Sequence, residues 1–347
     1  MNDTLLERYA DLGGNPELWK GIIEVVTQAG STSASLELNS KVLPQGRYVA
    51  RASGEARKTR KREAEAKNVD GMTAEDEAFV RPNGDNYYGR QWGIHSDVLT
   101  LRKAREATAK ANAGGGGSAM YALLYGAPGT GKTALVEASF EKVYTLMGTG
   151  DTEVADLVGG YVQTPSGGFE WVDGDLVRSA EEGAVYFIDE IGLIDPKVLS
   201  VIYGLMDGRR ELTVTANPDR GTIKAHPNFY VVSATNPNAP GVRLSEALLS
   251  RFTLQAEMTT DWSLARKLGV PTTVVTASQN LAKRQVAGEV SWSPQMRELI
   301  AFRDIADTFG TEFAIGNLLA GAPEIDRPVV ADVLSRAYGE DCKPAKI

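Results

Sequence analysis

The sequence predicts an α/β fold: a parallel sheet flanked by helices, followed by a small helical domain. Three observations carry this. From residue 119 short apolar runs alternate with helical stretches, the pattern of strands covered on both faces by crossover helices. The run AMYALLY (119–125) leads into the glycine-rich GAPGTGKT (126–133) and then a helical pattern, a strand–loop–helix unit. After Thr260 strand signals fade, and 293–309, 311–321 and 327–339 all carry helical spacing.

Residues 1–112 read as an accessory segment. Leu5–Leu12 and Glu17–Ala29 have the spacing of short helices. Residues 47–67 hold eight basic and three acidic residues. Such a run is a solvated charged stretch or an electrostatic footprint for nucleic acid or another partner. No aromatic follows Tyr48 within it, so a base-stacking platform is not expected. RPNGDNYYGRQW (81–92) is turn-rich. Asp97 then reads as the cap of a helix, DVLTLRKAREATAKANA, with Val98, Leu101, Ala104 and Arg105 at helical spacing. GGGGS (114–118) is a flexible joint resembling an engineered linker unit.

The expected strands of the sheet are Met120–Tyr125, Lys142–Met147, Ala184–Ile188, Phe229–Ala234 and Thr253–Met258, with a helix over Thr133–Tyr144. Leu212–Val214 and Thr222–Lys224, around NPDRG, read as a β-hairpin. The divisions are thus an accessory segment over 1–112, an α/β core over 113–258 and a helical domain over 259–347.

The chain has 347 residues, of which 42% are hydrophobic, and a formal charge of −8. That suffices for two or three domains with ordinary cores. No run of 18 apolar residues predicts a membrane span. The opening MNDTLLERYADLGG lacks a basic region followed by an apolar one, so no secretory leader is expected. The single cysteine, Cys342, fits a reducing cytoplasm. With two histidines, His95 and His226, no cluster has metal-ligand spacing.

The chemistry starts at residue 126. Gly126, Ala127, Pro128, Gly129, Thr130, Gly131, Lys132 and Thr133 fit the phosphate-binding loop pattern. Glycines let successive backbone N–H groups turn toward phosphate oxygens. Lys132 offers a point charge to β and γ phosphates, and Thr133 a hydroxyl to Mg²⁺. The following helix presents its N-terminus to the anion.

AVYFIDEIG (184–192) ends an apolar strand in Asp189 and Glu190, 57 positions after Lys132. Asp189 is expected to hold Mg²⁺ through water and Glu190 to polarise the attacking water. A DE pair also caps helices. VVSATNPN (231–238) places Asn236 where an amide could orient that water, or simply makes an Asn-Pro turn. LSEALLSRF (244–252) ends a helix at Arg251, either a capping arginine or a finger reaching a neighbouring subunit's γ-phosphate.

With these motifs in order, the chain resembles the AAA+ ATPases, and within them the MoxR-like group. GAPGTGKT is similar to Walker A, VYFIDE to Walker B, SATNPN to sensor 1, and LSEALLSRF to the arginine-finger segment. DLVGGY (156–161) and FEWVDGDLVRSAEEG (169–183) resemble the helix-2 insertion of that group. ELTVTANPDRGTIKAHPNF resembles its hairpin before sensor 1. The likeness is close over 119–260 and loose beyond. Residues 1–96 have no counterpart in the minimal family, although RPNGDNYYGR is similar to N-terminal extensions of actinobacterial and phage-encoded members.

The resemblance implies ATP and Mg²⁺ as ligands, a homo-oligomeric, hexameric ring, and hydrolysis at subunit interfaces. It also implies remodelling of a protein client, often with a von Willebrand factor A-domain partner. Tyr161, Phe169 and Trp171 are the insertion's aromatic candidates for the moving contact, or else a small local core. The chain departs from the family at sensor 2. SWSPQMREL has Gln295 where an arginine often stands, and Arg297 two residues on. Arg297 either swings toward the phosphates or makes a structural ion pair. A nucleic-acid motor or phage DNA-processing ATPase is the rival reading, supported only by the basic run.

Overall fold

The computed structural model describes residues 78–345. The expected helices at Leu5–Leu12 and Glu17–Ala29 and the basic run 47–67 lie outside the described residues. All described residues belong to one compact unit.

Five parallel strands form the central sheet: β5 (Ala122–Tyr125), β6 (Val143–Met147), β9 (Val185–Asp189), β12 (Tyr230–Thr235) and β13 (Leu254–Glu257). Their order is β13-β5-β12-β9-β6, so the glycine-loop strand β5 sits between the last and the fourth strands in sequence. Every residue of β9 and β12 is buried. Strands covered on both faces read as continuous apolar runs, and VYFI and YVV are such runs.

The helix after the glycine loop, α2 (Lys132–Ser139), is shorter than the expected Thr133–Tyr144. Phe140 is extended at φ −138°, ψ 137°, and buries its ring 5.9 Å from that of Tyr230. The chain must already be extended there, because β6 pairs with β9 from Val143 opposite Val185. Sheet pairing outweighs local helix propensity at that point.

Upstream, β1 (Ala78–Val80) pairs with β2 (Asn86–Tyr88), and β3 (Gln91–Trp92) with β4 (His95–Ser96), within the segment expected to be only turns. Helix α1 (Asp97–Asn112) follows, but its cap is Ser96 rather than Asp97. Asp97 is instead buried inside the first turn, where its carboxylate accepts hydrogen bonds from Tyr87 Oη at 2.5 Å and the N–H of Arg90 at 3.0 Å. Val98, Leu101 and Ala104 put the apolar face of α1 into the core around the sheet.

Between β6 and β9 lie α3 (Val154–Val158), the hairpin β7 (Gly159–Gln163) and β8 (Phe169–Asp173), and α4 (Asp175–Glu182). Short helices α5 (Pro196–Leu199) and α6 (Tyr203–Met206) lead to a second hairpin, β10 (Glu211–Thr213) and β11 (Thr222–Lys224). Helix α7 (Glu246–Leu249) precedes β13.

Five helices complete the described chain: α8 (Trp262–Lys267), α9 (Thr272–Val286), α10 (Met296–Phe309), α11 (Thr311–Gly321) and α12 (Arg327–Tyr338). They enclose a second apolar cluster that includes Val274, Leu281, Leu299, Phe302, Leu319 and Leu334. Among the described residues no helix is long and apolar enough to cross a membrane.

Candidate functional site

The C-terminal ends of β5, β9 and β12 open at one edge of the sheet, the edge where open parallel sheets bind ligands. A cleft of about 460 Å³ lies there. Gly129, Gly131, Lys132 and Thr133 form one wall, Asp189 and Glu190 a second, and Met296, Arg297 and Ile300 of α10 a third.

The glycine loop follows from its residues. Gly126, Gly129 and Gly131 all have positive φ (150°, 79° and 93°), the region that favours glycine. Space matters as well: a Cβ on Gly126 would lie 2.2 Å from the carbonyl oxygen of Met258. Gly131 then caps α2, so the first N–H groups of that helix are presented to the cleft.

Lys132 Nζ donates to the carbonyls of Gly126 at 2.9 Å and Ala127 at 3.0 Å, and Thr130 Oγ1 donates to Ala127 O at 3.0 Å. Burial lowers the Lys132 pKa, with Arg297 pressing the same way and the carboxylates of Glu190 and Asp189 opposing it. Thr133 Oγ1 donates to Asp189 Oδ2 at 2.7 Å, joining the start of α2 to the end of β9.

Glu190 is one of two non-glycine residues with positive φ among the described residues, at 52°. Its N–H is held by Asp189 Oδ1 at 3.0 Å, and Glu190 Oε2 accepts the backbone N–H of Asn236 at 3.3 Å. A strained backbone that aims a carboxylate into a cleft is a recurring feature of functional sites. Asn236 therefore meets Glu190 through its main chain. Its side-chain Oδ1 instead accepts the N–H of Asn238 at 3.2 Å, an Asn-Pro turn.

Arg251 lies away from this cleft. Its guanidinium stacks 4.3 Å over the ring of Tyr203 and donates to Ala247 O at 2.5 Å, while its Nε is buried without a partner. Arg297 is in the cleft. It occupies the first turn of α10, with its N–H on Gly129 O at 3.3 Å. Gln295 is the N-cap of α10; its Oε1 accepts Thr260 Oγ1 at 2.6 Å, and its Nε2 donates to Ser293 O at 3.0 Å. Tyr161 and Trp171 meet edge to face at 5.3 Å on the β7–β8 hairpin, and Trp171 Nε1 donates to Asp173 Oδ1 at 2.7 Å. Phe169 is 70% exposed, so the three aromatics do not close into a core of their own.

Sequence reasoning missed one wall. Arg81, Tyr88 and Arg90 also line the cleft. Arg81 bridges to Glu137 of α2 at 2.7 Å, which brings the upstream segment against the glycine loop. The only signal was two arginines bracketing two tyrosines in a turn-rich stretch.

Residues 122–252 match the family described as the AAA domain, dynein-related subfamily. An uncharacterized protein of Staphylococcus aureus strain USA300 is 37% identical over 140 residues, covering 38% of this chain and 52% of that protein. Its counterpart in the bovine strain RF122 is 36% identical over the same length. The chain spans about half the length of the curated relatives it matches. A solved structure of a Cytophaga hutchinsonii protein overlaps at a TM-score of 0.34 with 16% identity, covering 68% of this chain and 86% of that one, too little to bear on the fold. The sequence match, the parallel sheet and the loop geometry together make residues 122–252 similar to an AAA domain, with the core of a phosphate-binding-loop NTPase.

Proposed function

We propose that the chain binds ATP with Mg²⁺ in this cleft, hydrolyses it, and uses the energy in a homo-oligomeric ring to remodel a protein client, as a MoxR-like ATPase. One observation carries the reading. The glycine loop, the Thr133–Asp189 contact at 2.7 Å and the strained Glu190 meet at one sheet edge, the parts a phosphoryl-transfer site needs.

The fit to the ligands is local. Loop N–H groups and the α2 N-terminus favour an anion. Lys132, now satisfied by loop carbonyls, has a buried charge that phosphate oxygens would neutralise. Thr133 and Asp189 supply hard oxygens for a divalent ion that is otherwise held by phosphates and water. When bound, Mg²⁺ neutralises charge on the phosphate oxygens. Glu190 polarises a water for attack on the γ-phosphorus, with ADP as the leaving group. The N–H of Asn236 fixes the carboxylate of Glu190, so Asn236 acts as its positioning residue. Arg297 approaches from the helical lid, residues 259–347, and Arg251 serves a neighbouring subunit's site.

The exposed β7–β8 hairpin, with Tyr161 55% and Phe169 70% exposed, supports client contact. The same reading places the protein in the cytoplasm, in a hexameric ring, with a von Willebrand factor A-domain protein as a fitting partner. Glu190→Gln keeps size and hydrogen bonding but cannot act as base. It should bind ATP normally, turn over slower by about 10²-fold or more, and retain client in a pull-down. Loss of ATP binding would make Glu190 structural. DNA-stimulated turnover that fades with salt would favour the nucleic-acid motor instead.

A further inference from the structure

We propose that Arg90, from the segment upstream of the AAA-like domain, is a positioning residue that sets the glycine loop for phosphate by holding the Thr130 carbonyl. The proposal rests on the ATP-binding reading of the cleft.

Arg90 reaches across 40 residues of sequence. Its Nη2 donates to Thr130 O at 2.7 Å, and its Nη1 donates to Thr259 O at 3.0 Å. The peptide joining Thr130 and Gly131 is trans, as are all described peptides, so its C=O and N–H point in opposite directions. Fixing the Thr130 carbonyl on the guanidinium therefore fixes the Gly131 N–H away from it. Gly131 lines the cleft and caps α2, so this amide is one of the phosphate-directed donors. The N–H of Arg297 does the same for the preceding peptide, by holding Gly129 O at 3.3 Å.

The guanidinium is itself immobilised. Thr259 O takes its second nitrogen, so the plane cannot swing about a single bond. The backbone of Arg90 exchanges two hydrogen bonds with Asp97: Arg90 N–H to Oδ1 at 3.0 Å, and Asp97 N–H to Arg90 O at 2.7 Å. Asp97 is 4% exposed and also takes the Tyr87 hydroxyl, which anchors the segment to the start of α1. Glycine at 131 suits the approach: its φ is 93°, and a Cβ there would lie 2.9 Å from Arg90 Nη2. Loop and arginine are thus shaped to each other.

A preset amide favours phosphate binding because the loop need not reorganise when ligand arrives. Without Arg90 the Thr130–Gly131 peptide can flip, and phosphate must pay for its return.

The test is calorimetry of the full chain with ATP and with ADP, in Mg²⁺, for wild type, Arg90→Ala, Arg90→Gln, Arg90→Lys and Lys132→Ala. Hydrogen bonds to charged groups predict that Arg90→Ala weakens ATP and ADP alike, by about tenfold or more. Arg90→Lys, able to serve one carbonyl, should recover part of the loss, and the stoichiometry per chain should stay that of wild type. A folding defect would lower the stoichiometry and leave Kd unchanged; that outcome overturns the proposal. So does a loss confined to ATP, which would make Arg90 a direct γ-phosphate contact. If Arg90→Ala does not fold, Arg90→Gln and Arg90→Lys carry the test, and wild-type Kd in both refutes it. Unchanged binding in Lys132→Ala would refute the ATP reading of the cleft itself, whatever Arg90 does.

Discussion

Arg251→Ala tests the assembly and the residue together. The side chain contributes one charged hydrogen bond to Ala247 O at 2.5 Å and one stack on Tyr203 at 4.3 Å. Losing the bond costs about 1.5 kcal/mol and losing the cation–π contact about 1 kcal/mol, so stability should fall by about 2.5 kcal/mol. At roughly 2–4 °C per kcal/mol for a domain of this size, the unfolding midpoint drops by about 5–10 °C and the protein stays folded at 25 °C. A finger acting in trans is worth on the order of 10³-fold in turnover, about 4 kcal/mol of barrier. The two effects separate cleanly. Calorimetry should show normal ATP binding, while phosphate release falls about 10³-fold. Mixing Arg251→Ala with Lys132→Ala should then restore activity, because one subunit with an intact loop can sit beside one with an intact finger. If mass measurement shows mixed oligomers and activity stays absent, the trans role is refuted and Arg243 becomes the residue to examine.

Two further outcomes follow from other parts of the chain. Gly126→Ala sets a Cβ 2.2 Å from Met258 O at positive φ, so differential scanning fluorimetry should show a loss of about 3 kcal/mol and calorimetry a loss of ATP binding; Gly150→Ala, which meets nothing within 4 Å, should leave both unchanged. Charge reversal at Arg57, Lys58, Arg60, Lys61 and Arg62 should leave phosphate release at the wild-type rate, and a salt-sensitive fall in ring assembly would show that the run docks on the acidic remainder of the chain.

The three inner strands were legible because a strand buried on both faces is written as a mostly apolar run, and each of the three leads into polar residues of the site. ALLY leads to the glycine loop, VYFI to Asp189 and Glu190, and YVVSAT to Asn236. The helix ends were less legible. Nothing local stops α2 at Ser139; the register of β6 does. Helix α9 was missed because TTVVT opens it with β-branched residues, which favour strands until tertiary packing decides. Helix α8 is only six residues, with its start marked by the Asp261 cap alone. Asp97 looked like a cap by type, yet Ser96 serves, because Tyr87 and Arg90 claim the carboxylate. Arg81, Tyr88 and Arg90 were illegible in principle. Their place at the cleft depends on a long-range closure that periodicity does not encode.

That closure also explains why residues 258–260 touch so much of the site. Met258 O fills the space a side chain on Gly126 would need, at the loop's start. Thr259 O takes one arm of Arg90, whose other arm holds Thr130 near the loop's end. Thr260 Oγ1 donates to Gln295, the cap of the helix that carries Arg297. Three consecutive residues, on the described chain path from β13 to α8, therefore abut the start of the loop, reach its end through Arg90, and hold the cap of the helix facing it. Carbonyls and hydroxyls at hydrogen-bond distance cannot slide past one another by an ångström without losing their partners. A rotation of the C-terminal helices about this joint must shift Thr259 or Thr260, and either shift reaches the loop through Arg90 or through Gln295 and Arg297. These contacts join the loop to the C-terminal helices without a longer pathway through the sheet.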